Sequence, residues 1–197
     1  MMKLTLDTNC IIDLEFNEGA APELRRLLAK HDAGEIDLQV AGIVASERLR
    51  VGGYSPTFSG FSERVHRLGS RAIRVLKPIG HWDVTYWDEG LWVDDLMTDL
   101  ESRIHSILFS QPYGWTDIAR RERIDPAVVP DETNAQWRKW RNRLCDSSAM
   151  WCHIYYGGDM FVTRDANFLE SSKRLALEAL GAKSIGDPAE ACSAAGA

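Results

Sequence analysis

Residues 3–14 read KLTLDTNCIIDL, and this stretch decides the fold. Residues 3–6 have the short apolar content of a β-strand, and residues 7–9, Asp-Thr-Asn, are small polar residues suited to ending a strand and capping a helix. Asp7 is therefore predicted to lie at the carboxyl end of a first strand. In an open parallel α/β sheet that end binds ligands, because loops leave the sheet there and helix N-termini point back at the crevice. We interpret Asp7 as the first of several metal ligands.

The size and composition of the chain predict a single globular domain. With 197 residues, the chain is long enough for one well-packed domain of moderate size and too short for a second full domain. Hydrophobic residues make up 45% of it and charged residues 26%, which is ordinary for a globular protein. No apolar run reaches the roughly 20 residues needed to span a bilayer, and charge at Lys3 and Asp7 argues against a secretory signal.

The charge balance is acidic, with a formal net charge of −6 and a pI near 5.4. This argues against a protein that coats nucleic acid through bulk electrostatics, but it allows an enzyme that meets nucleic acid locally. The 4 cysteines include no C-x-x-C pair and no Cys/His ligand set. We therefore expect reduced thiols in a cytoplasmic protein.

Strand and helix patterns alternate along the chain. Strands are predicted over residues 3–6, 36–41, 73–79, 159–163 and 183–185. Helices are predicted over residues 10–16, 22–30, 43–51, 61–72, 87–109, 116–123, 135–144, 149–156, 169–180 and from Pro188 onward. This alternation predicts a three-layer α/β/α sandwich with a central, mostly parallel sheet.

Four acids occupy comparable positions in this scheme. Asp7 and Asp165 follow strands, Asp146 begins a predicted helix, and Glu47 lies about one turn into another. In a parallel sheet all four can face one crevice. Two carboxylates ~5 Å apart at an effective dielectric of about 20 repel by roughly 3 kcal/mol, so the cluster requires protonation or divalent cations. Taken singly, each acid has a simpler role as a helix cap, a turn residue or a solvated charge.

Several segments resemble the PIN domain, the metal-dependent nuclease fold that includes the VapC-type toxins of toxin-antitoxin pairs. The matching segments are LTLDTNCIIDL (residues 4–14), SERLR (46–50), LCDSSAMWCHIYYGGDMFVTRDANFL (144–169) and IGDPAEA (185–191). By position, the resemblance implies a catalytic and metal-binding acidic quartet of Asp7, Glu47, Asp146 and Asp165. It also implies supporting polar residues, which are Asn9, Thr163 and Asn167, and a packing aromatic at Phe168. Residues 52–61 and 111–134 have no family counterpart and are expected to be insertions, and residues 193–197 are expected to be a frayed tail.

An acid-only ligand set has a defined chemistry. Without His or Cys it selects hard cations, so Mg²⁺ or Mn²⁺ is expected. Such ions activate a bound water and stabilise charge on a leaving oxygen. The predicted reaction is endonucleolytic hydrolysis of RNA phosphodiesters, with Asp7, Asp146 and Asp165 as direct or water-mediated ligands and Glu47 binding metal or orienting the water.

A basic stretch directly precedes Asp146. Cations and indoles alternate from Trp137 to Arg143, which suits a phosphate track with bases stacked on the rings. The predicted RNA-binding residues are Arg138, Lys139, Arg141 and Arg143. The alternative is that Trp137 and Trp140 pack inside the protein and the cations form a solvated helix face. Three further tryptophans, Trp82, Trp87 and Trp92, are interpreted as packing or an interaction surface.

Two other functions remain open. A PIN-like module could bind RNA or a protein without cutting, although four retained acids argue against this. A metal-dependent phosphatase of the haloacid dehalogenase type also begins with a strand-end Asp, but that family has D-x-D-x-T/V where this chain has Asp7-Thr8-Asn9. The expected partners are an RNA substrate, with a small antitoxin protein and a second copy of the chain as further candidates, and no membrane.

Overall fold

The computed structural model describes residues 1–47, 55–126 and 133–197, and it confirms a three-layer α/β/α architecture. The central sheet has five parallel strands in the order β3-β2-β1-β4-β5. These are β1 (Met2–Leu6), β2 (Ile36–Ala41), β3 (Arg74–Leu76), β4 (Met160–Val162) and β5 (Ile185–Gly186). The first strand lies at the centre, where Leu6 pairs with Val40 of β2 on one side and Val162 of β4 on the other.

Helices flank the sheet. They are α1 (Thr8–Phe16), α2 (Ala21–Asp32), α3 (Phe58–His66), α4 (Asp95–Leu108), α5 (Trp115–Arg121), α6 (Ala135–Tyr155), α7 (Ala166–Leu169), α8 (Ser171–Leu177) and α9 (Pro188–Ala195). Within the described ranges, no helix combines the length and the apolar character that crossing a membrane requires.

Two hydrophobic cores lie on opposite faces of the sheet. One joins β1 and β2 to α1, α2, α3 and α9, and it includes Leu4 and Leu27. The other joins the sheet to α4, α5 and α6, and it includes Phe161 and Trp151. Phe161 and its neighbour Val162 belong to different cores because successive strand residues point to opposite faces.

The predicted helix over residues 43–51 is wrong in its described part, residues 43–47. After β2 the chain makes only a short 3-10 turn, Gly42–Ser46, and Glu47 is already extended, with φ −80° and ψ 156°. The Ser46 carbonyl accepts a hydrogen bond from Arg141 Nε (3.0 Å). In a continuing helix this carbonyl would instead accept from a backbone N–H of the next turn. The rest of the predicted helix, residues 48–51, lies outside the described residues.

Several other helix boundaries differ from the predictions, among them those at Asp146 and at the start of α4. Asp146 does not begin a helix, because α6 runs without interruption through its 21 residues. Neighbouring Ser147 donates its hydroxyl back to the Arg143 carbonyl (2.9 Å), which satisfies the polar group inside a helix instead of capping a new one. The long helix predicted over residues 87–109 is only α4, because Asp94 caps it by accepting from Met97 N (3.0 Å).

The predicted insertions are only partly described. Of residues 52–61, the structure describes 55–61, and α3 begins within them. Of residues 111–134, it describes 111–126 and 133–134, which include α5. Helix α9 extends through Ala195, so it includes the first three residues of the tail at 193–197, and Gly196 caps it in a left-handed conformation (φ 66°).

Candidate active site

Asp7 lies where β1 ends and α1 begins. Its side chain is 5% exposed and caps α1 by accepting from Thr8 N (2.8 Å). The other carboxylate oxygen accepts from Asn9 Nδ2 (2.6 Å) and from Thr163 Oγ1 (2.6 Å). Three donors therefore fix the orientation of this carboxylate, as the strand-end position and small polar neighbours lead one to expect.

Thr163 joins the ends of two neighbouring strands. It directly follows β4 and is fully buried. Its hydroxyl donates to Asp7 and accepts from Asn9 Nδ2 (3.0 Å) and from Asp165 N (3.0 Å). A hydroxyl has one proton to donate and two lone pairs, so all its hydrogen-bonding capacity is used. Thr163 and Asn9 thus contact the acids as supporting residues.

Glu47 reaches the same region from the end of the 3-10 turn. Its Oε1 accepts from Thr8 Oγ1 (2.5 Å), which links it to the residue that follows Asp7. Asp146 comes from the interior of α6, and its side chain is partly buried. The helix-interior position of Asp146 differs from the predicted one at a helix start.

Asp165 caps the short helix α7. Its Oδ1 accepts from Asn167 N (2.8 Å), and its own N–H is held by Thr163. The side chain of Asn167 accepts from Lys173 Nζ (2.5 Å), and it is the backbone N–H of Asn167 that contacts an acid of the quartet. Phe168 is fully buried against Phe161, with ring centroids 5.1 Å apart.

The four carboxyl groups act on one another electrostatically. Burial is the first cause that raises the pKa of Asp7, and the charge of Asp165 adds to it. The pKa of Glu47 is raised to about 8, by burial first and then by the charge of Asp7. Burial raises the pKa of Asp146 well above its ordinary range, and the charges of the other three acids raise it further. Residues far apart in sequence therefore form one electrostatic unit.

The donor chemistry of this unit fits a hard divalent cation, because every available ligand atom is a carboxylate oxygen. A cation would also favour the charged forms that burial and mutual repulsion disfavour. As the side chains stand, no three His, Cys, Asp or Glu residues in the described part of the chain are close enough together to hold one metal ion.

The predicted stacking of bases on Trp137 and Trp140 is wrong. Their side chains are 6% and 7% exposed, with ring centroids 4.6 Å apart, and both pack against Trp115. The indoles are core residues because they repeat on the inner face of α6. This is the alternative that the sequence left open.

The four predicted RNA-binding cations have different surroundings. Arg141 is partly buried and bonded to Ser46, next to Glu47. Arg138 is also partly buried and donates to the Thr133 carbonyl (3.2 Å). Lys139 and Arg143 line a small cavity of about 220 Å³. Their binding to RNA stays a prediction.

A larger cleft beside Glu47 was not predicted from the sequence. Its volume is about 720 Å³, and its wall includes Thr8 and Glu47 together with Arg25, Arg64 and Arg67. Arg64 is held by Glu15 through two bonds of 2.6 and 2.7 Å, whereas Arg25 and Arg67 are exposed. Arg25 lies in α2, whereas Arg64 lies in α3 and Arg67 caps the end of that helix, so no local sequence pattern contains all three arginines.

The fold and the site together define an α/β protein with Asp7 and Asp165 at the carboxyl ends of neighbouring parallel strands, electrostatically coupled to Glu47 and Asp146. Comparisons of the chain with protein-family models and with curated proteins found no match.

Proposed function

We propose that the protein is a PIN-like, metal-dependent endoribonuclease. The observation that carries this proposal is the electrostatic coupling of Asp7, Glu47, Asp146 and Asp165, which raises the pKa values of three of them. Buried carboxylates that repel one another are costly, and a divalent cation among them would offset that cost. The resemblance of residues 4–14 and 144–169 to the PIN family supports the same function.

Each acid has a role in the proposed mechanism. Asp7, Asp146 and Asp165 would hold Mg²⁺ or Mn²⁺, and Glu47 would bind the ion or orient the attacking water. When bound, the ion supplies Lewis-acid chemistry, which lowers the pKa of water and stabilises negative charge on the leaving oxygen. The attacking water would release a proton to solvent as its oxygen bonds to phosphorus, the bond from phosphorus to the leaving ribose oxygen would break, and that oxygen would take up a proton from solvent.

The supporting residues preorganise this chemistry. Thr163 and Asn9 both donate to the same oxygen of Asp7, so that carboxylate does not need to reorient when substrate binds. Thr8 donates to Glu47 and so joins the second acid to the start of α1.

The RNA backbone needs cations close to the acids. The cleft that starts at Thr8 and Glu47 presents the exposed guanidinium groups of Arg25 and Arg67. Arg141 of α6 is held next to Glu47 by its bond to the Ser46 carbonyl. Positive charge near the acids would hold phosphates despite the net charge of −6.

The remaining parts of the proposal rest on the resemblance and on the thiols. A small antitoxin protein and a homodimer are proposed partners because VapC-type toxins have such partners. The 4 cysteines are free and buried, which supports the expectation of a reducing, cytoplasmic environment.

The test is a cleavage assay with three substrates. Purified protein is incubated with RNA, single-stranded DNA and a phosphomonoester, each with Mn²⁺ or with EDTA. We expect Mn²⁺-dependent internal cleavage of RNA and loss of that cleavage in Asp7→Asn, which keeps the size of the side chain and one accepting oxygen but removes its charge. Asp117→Asn, on the exposed face of α5, is the matched control and should keep full activity.

The outcomes separate the alternatives. RNA binding without cleavage in Mn²⁺ would favour the non-catalytic module, and phosphomonoester hydrolysis would favour the phosphatase. Full RNA cleavage by Asp7→Asn would refute the assignment of the acidic quartet.

A further inference from the structure

Three tryptophans are exposed on one loop, which lies between Glu47 and Asp146 in the sequence. The loop, residues 79–92, connects β3 to α4 and is called the tryptophan loop below. Trp82, Trp87 and Trp92 are 68%, 72% and 74% exposed, respectively. The ring centroid of Trp82 lies 5.2 Å from that of Trp87 and 6.0 Å from that of Trp92. Packing into the protein core is thus excluded for these residues, and an interaction surface remains.

The tryptophan loop is an ordered structure. Gly80 N donates to the Leu91 carbonyl (2.9 Å), which closes the loop at its base. Gly90 packs so closely there that a Cβ would come within 2.7 Å of the Gly80 Cα. Val84 is buried, and its carbonyl accepts from Ser46 Oγ (2.6 Å). The exposed rings therefore stand on a scaffold that the rest of the fold holds.

The three rings border a pocket of about 390 Å³. Its wall is formed by Gly80, His81, Trp82, Asp83, Thr85, Tyr86, Trp87, Asp88, Gly90 and Trp92. This volume is in the range of sites for small organic molecules, which are typically aromatic-lined with a few polar groups.

Most polar side chains of the pocket wall are already hydrogen-bonded to the protein. His81 Nε2 is bonded to Glu101 Oε2 (2.8 Å), and the Thr85 hydroxyl accepts from His81 N and donates to the Ile79 carbonyl. The Tyr86 hydroxyl donates to the carbonyl of Ser55. These groups have little capacity left for a ligand.

Two carboxylates are the exception. Asp83 and Asp88 are exposed, and in the described part of the chain neither side chain has a hydrogen bond or an ion pair. Both have positive φ values, 59° and 68°, and these left-handed conformations direct the backbone between the tryptophans. The pocket therefore offers ring faces and negative charge, and little else.

This combination selects an organic cation. A cation within about 6 Å of a ring centroid is attracted by the negative face of the indole, and the carboxylates add to that attraction. A sugar would need several free donors and acceptors, and a phosphate would be repelled by Asp83 and Asp88. A quaternary ammonium group has no N–H donors to satisfy and is weakly hydrated, so it loses little on entering an aromatic pocket. We propose that the tryptophan loop binds a small quaternary ammonium molecule.

The test compares choline with 3,3-dimethylbutan-1-ol, which has the same shape but no charge. Binding to the full-length protein is measured by calorimetry and by the upfield NMR shift that indole rings impose on the ligand methyl groups. We expect choline to bind at least roughly tenfold more tightly than the neutral alcohol. Equal affinity for the two compounds, or no methyl shift with choline, would overturn the proposal.

Variants show whether the loop is the site. Trp87→Leu removes one exposed ring and should weaken choline binding roughly tenfold. Asp88→Asn removes the charge and keeps a residue type that adopts positive φ readily. It should therefore weaken the binding of choline and leave the binding of the neutral alcohol unchanged. Asp99→Asn, exposed on α4, is the control for net charge and should bind choline normally. Unchanged choline binding in Trp87→Leu would refute the site.

A further arm identifies the source of the cation. A peptide carrying trimethyllysine is titrated beside choline, and much tighter binding of the peptide would overturn the assignment to a small molecule in favour of a protein partner. All these measurements use binding alone, so their outcome is independent of whether the acidic quartet cleaves RNA.

Discussion

Replacing Glu47 with glutamine should stabilise the metal-free protein, and the gain should grow with pH. The pKa of Glu47 rises from an ordinary 4.5 to about 8 in the folded state, because of burial and the charge of Asp7. Below pH 4.5 the carboxyl group is protonated in both folded and unfolded states, so it has no effect. As the pH rises toward 8 the unfolded state releases its proton more readily, and the free energy of unfolding falls.

Linkage gives the size of this effect. For a group with these two pKa values, the loss is under about 1 kcal/mol at pH 5 and roughly 3 kcal/mol at pH 7. Part of the Glu47 side chain contacts solvent, so these values are upper bounds. Glutamine keeps an oxygen that can accept from the Thr8 hydroxyl but has no proton to titrate, so Glu47→Gln should remove most of the loss.

The assay is urea denaturation in EDTA at pH 5, 7 and 8.5 and constant ionic strength. Glu63→Gln, an exposed position that borders the same cleft, is the control and should show no gain at any pH. Mg²⁺ should stabilise the unmodified protein more than Glu47→Gln. A stability difference that is the same at pH 5 and pH 8.5 would refute the electrostatic account of the site.

Three further changes test the local structure. Thr163→Val removes the buried hydroxyl that holds Asp7 and should cost about 1–3 kcal/mol in urea denaturation, whereas Thr163→Ser should retain most of the stability; equal loss in both would contradict this. Phe168→Ala should cost about 3–5 kcal/mol in thermal unfolding because the ring is fully buried, and a loss below 1 kcal/mol would refute its packing role. Asp187→Ala breaks the capping box of α9 and should cost about 1 kcal/mol without changing RNA cleavage, so a loss of cleavage would show that this cap affects the site.

The strands that were predicted most closely are those with strong local patterns. The second strand was predicted over residues 36–41 and is Ile36–Ala41, and the first was predicted over 3–6 and is Met2–Leu6. Both alternate apolar and polar residues and lie in the middle of the sheet, where local preference and burial agree. The position of Asp7 was predicted for the same reason, because the end of a strand and the cap of a helix coincide within three residues.

The wrong boundaries have long-range causes. The chain leaves helical geometry at Glu47 where Arg141, 95 positions from Ser46, takes the Ser46 carbonyl. Asp146 is a good helix cap by residue type, but α6 continues through it because its buried face runs on past that position. Neither the Arg141–Ser46 bond nor the continuing buried face of α6 can be predicted from the residues that immediately surround Ser46 or Asp146.

The sequence by itself determined the alternation of strands and helices, the parallel sheet, and the strand-end position of Asp7, because these depend on periodicity and on caps that span only a few residues. The tertiary structure alone decided which indoles are buried, as Trp137 is, and which are exposed, as Trp87 is. It also decided that Thr163 holds Asp7 across 156 positions of sequence. The physical reason is that burial and hydrogen-bond partners are set by residues that are distant in sequence and meet only in the folded protein. No local sequence pattern contains that information.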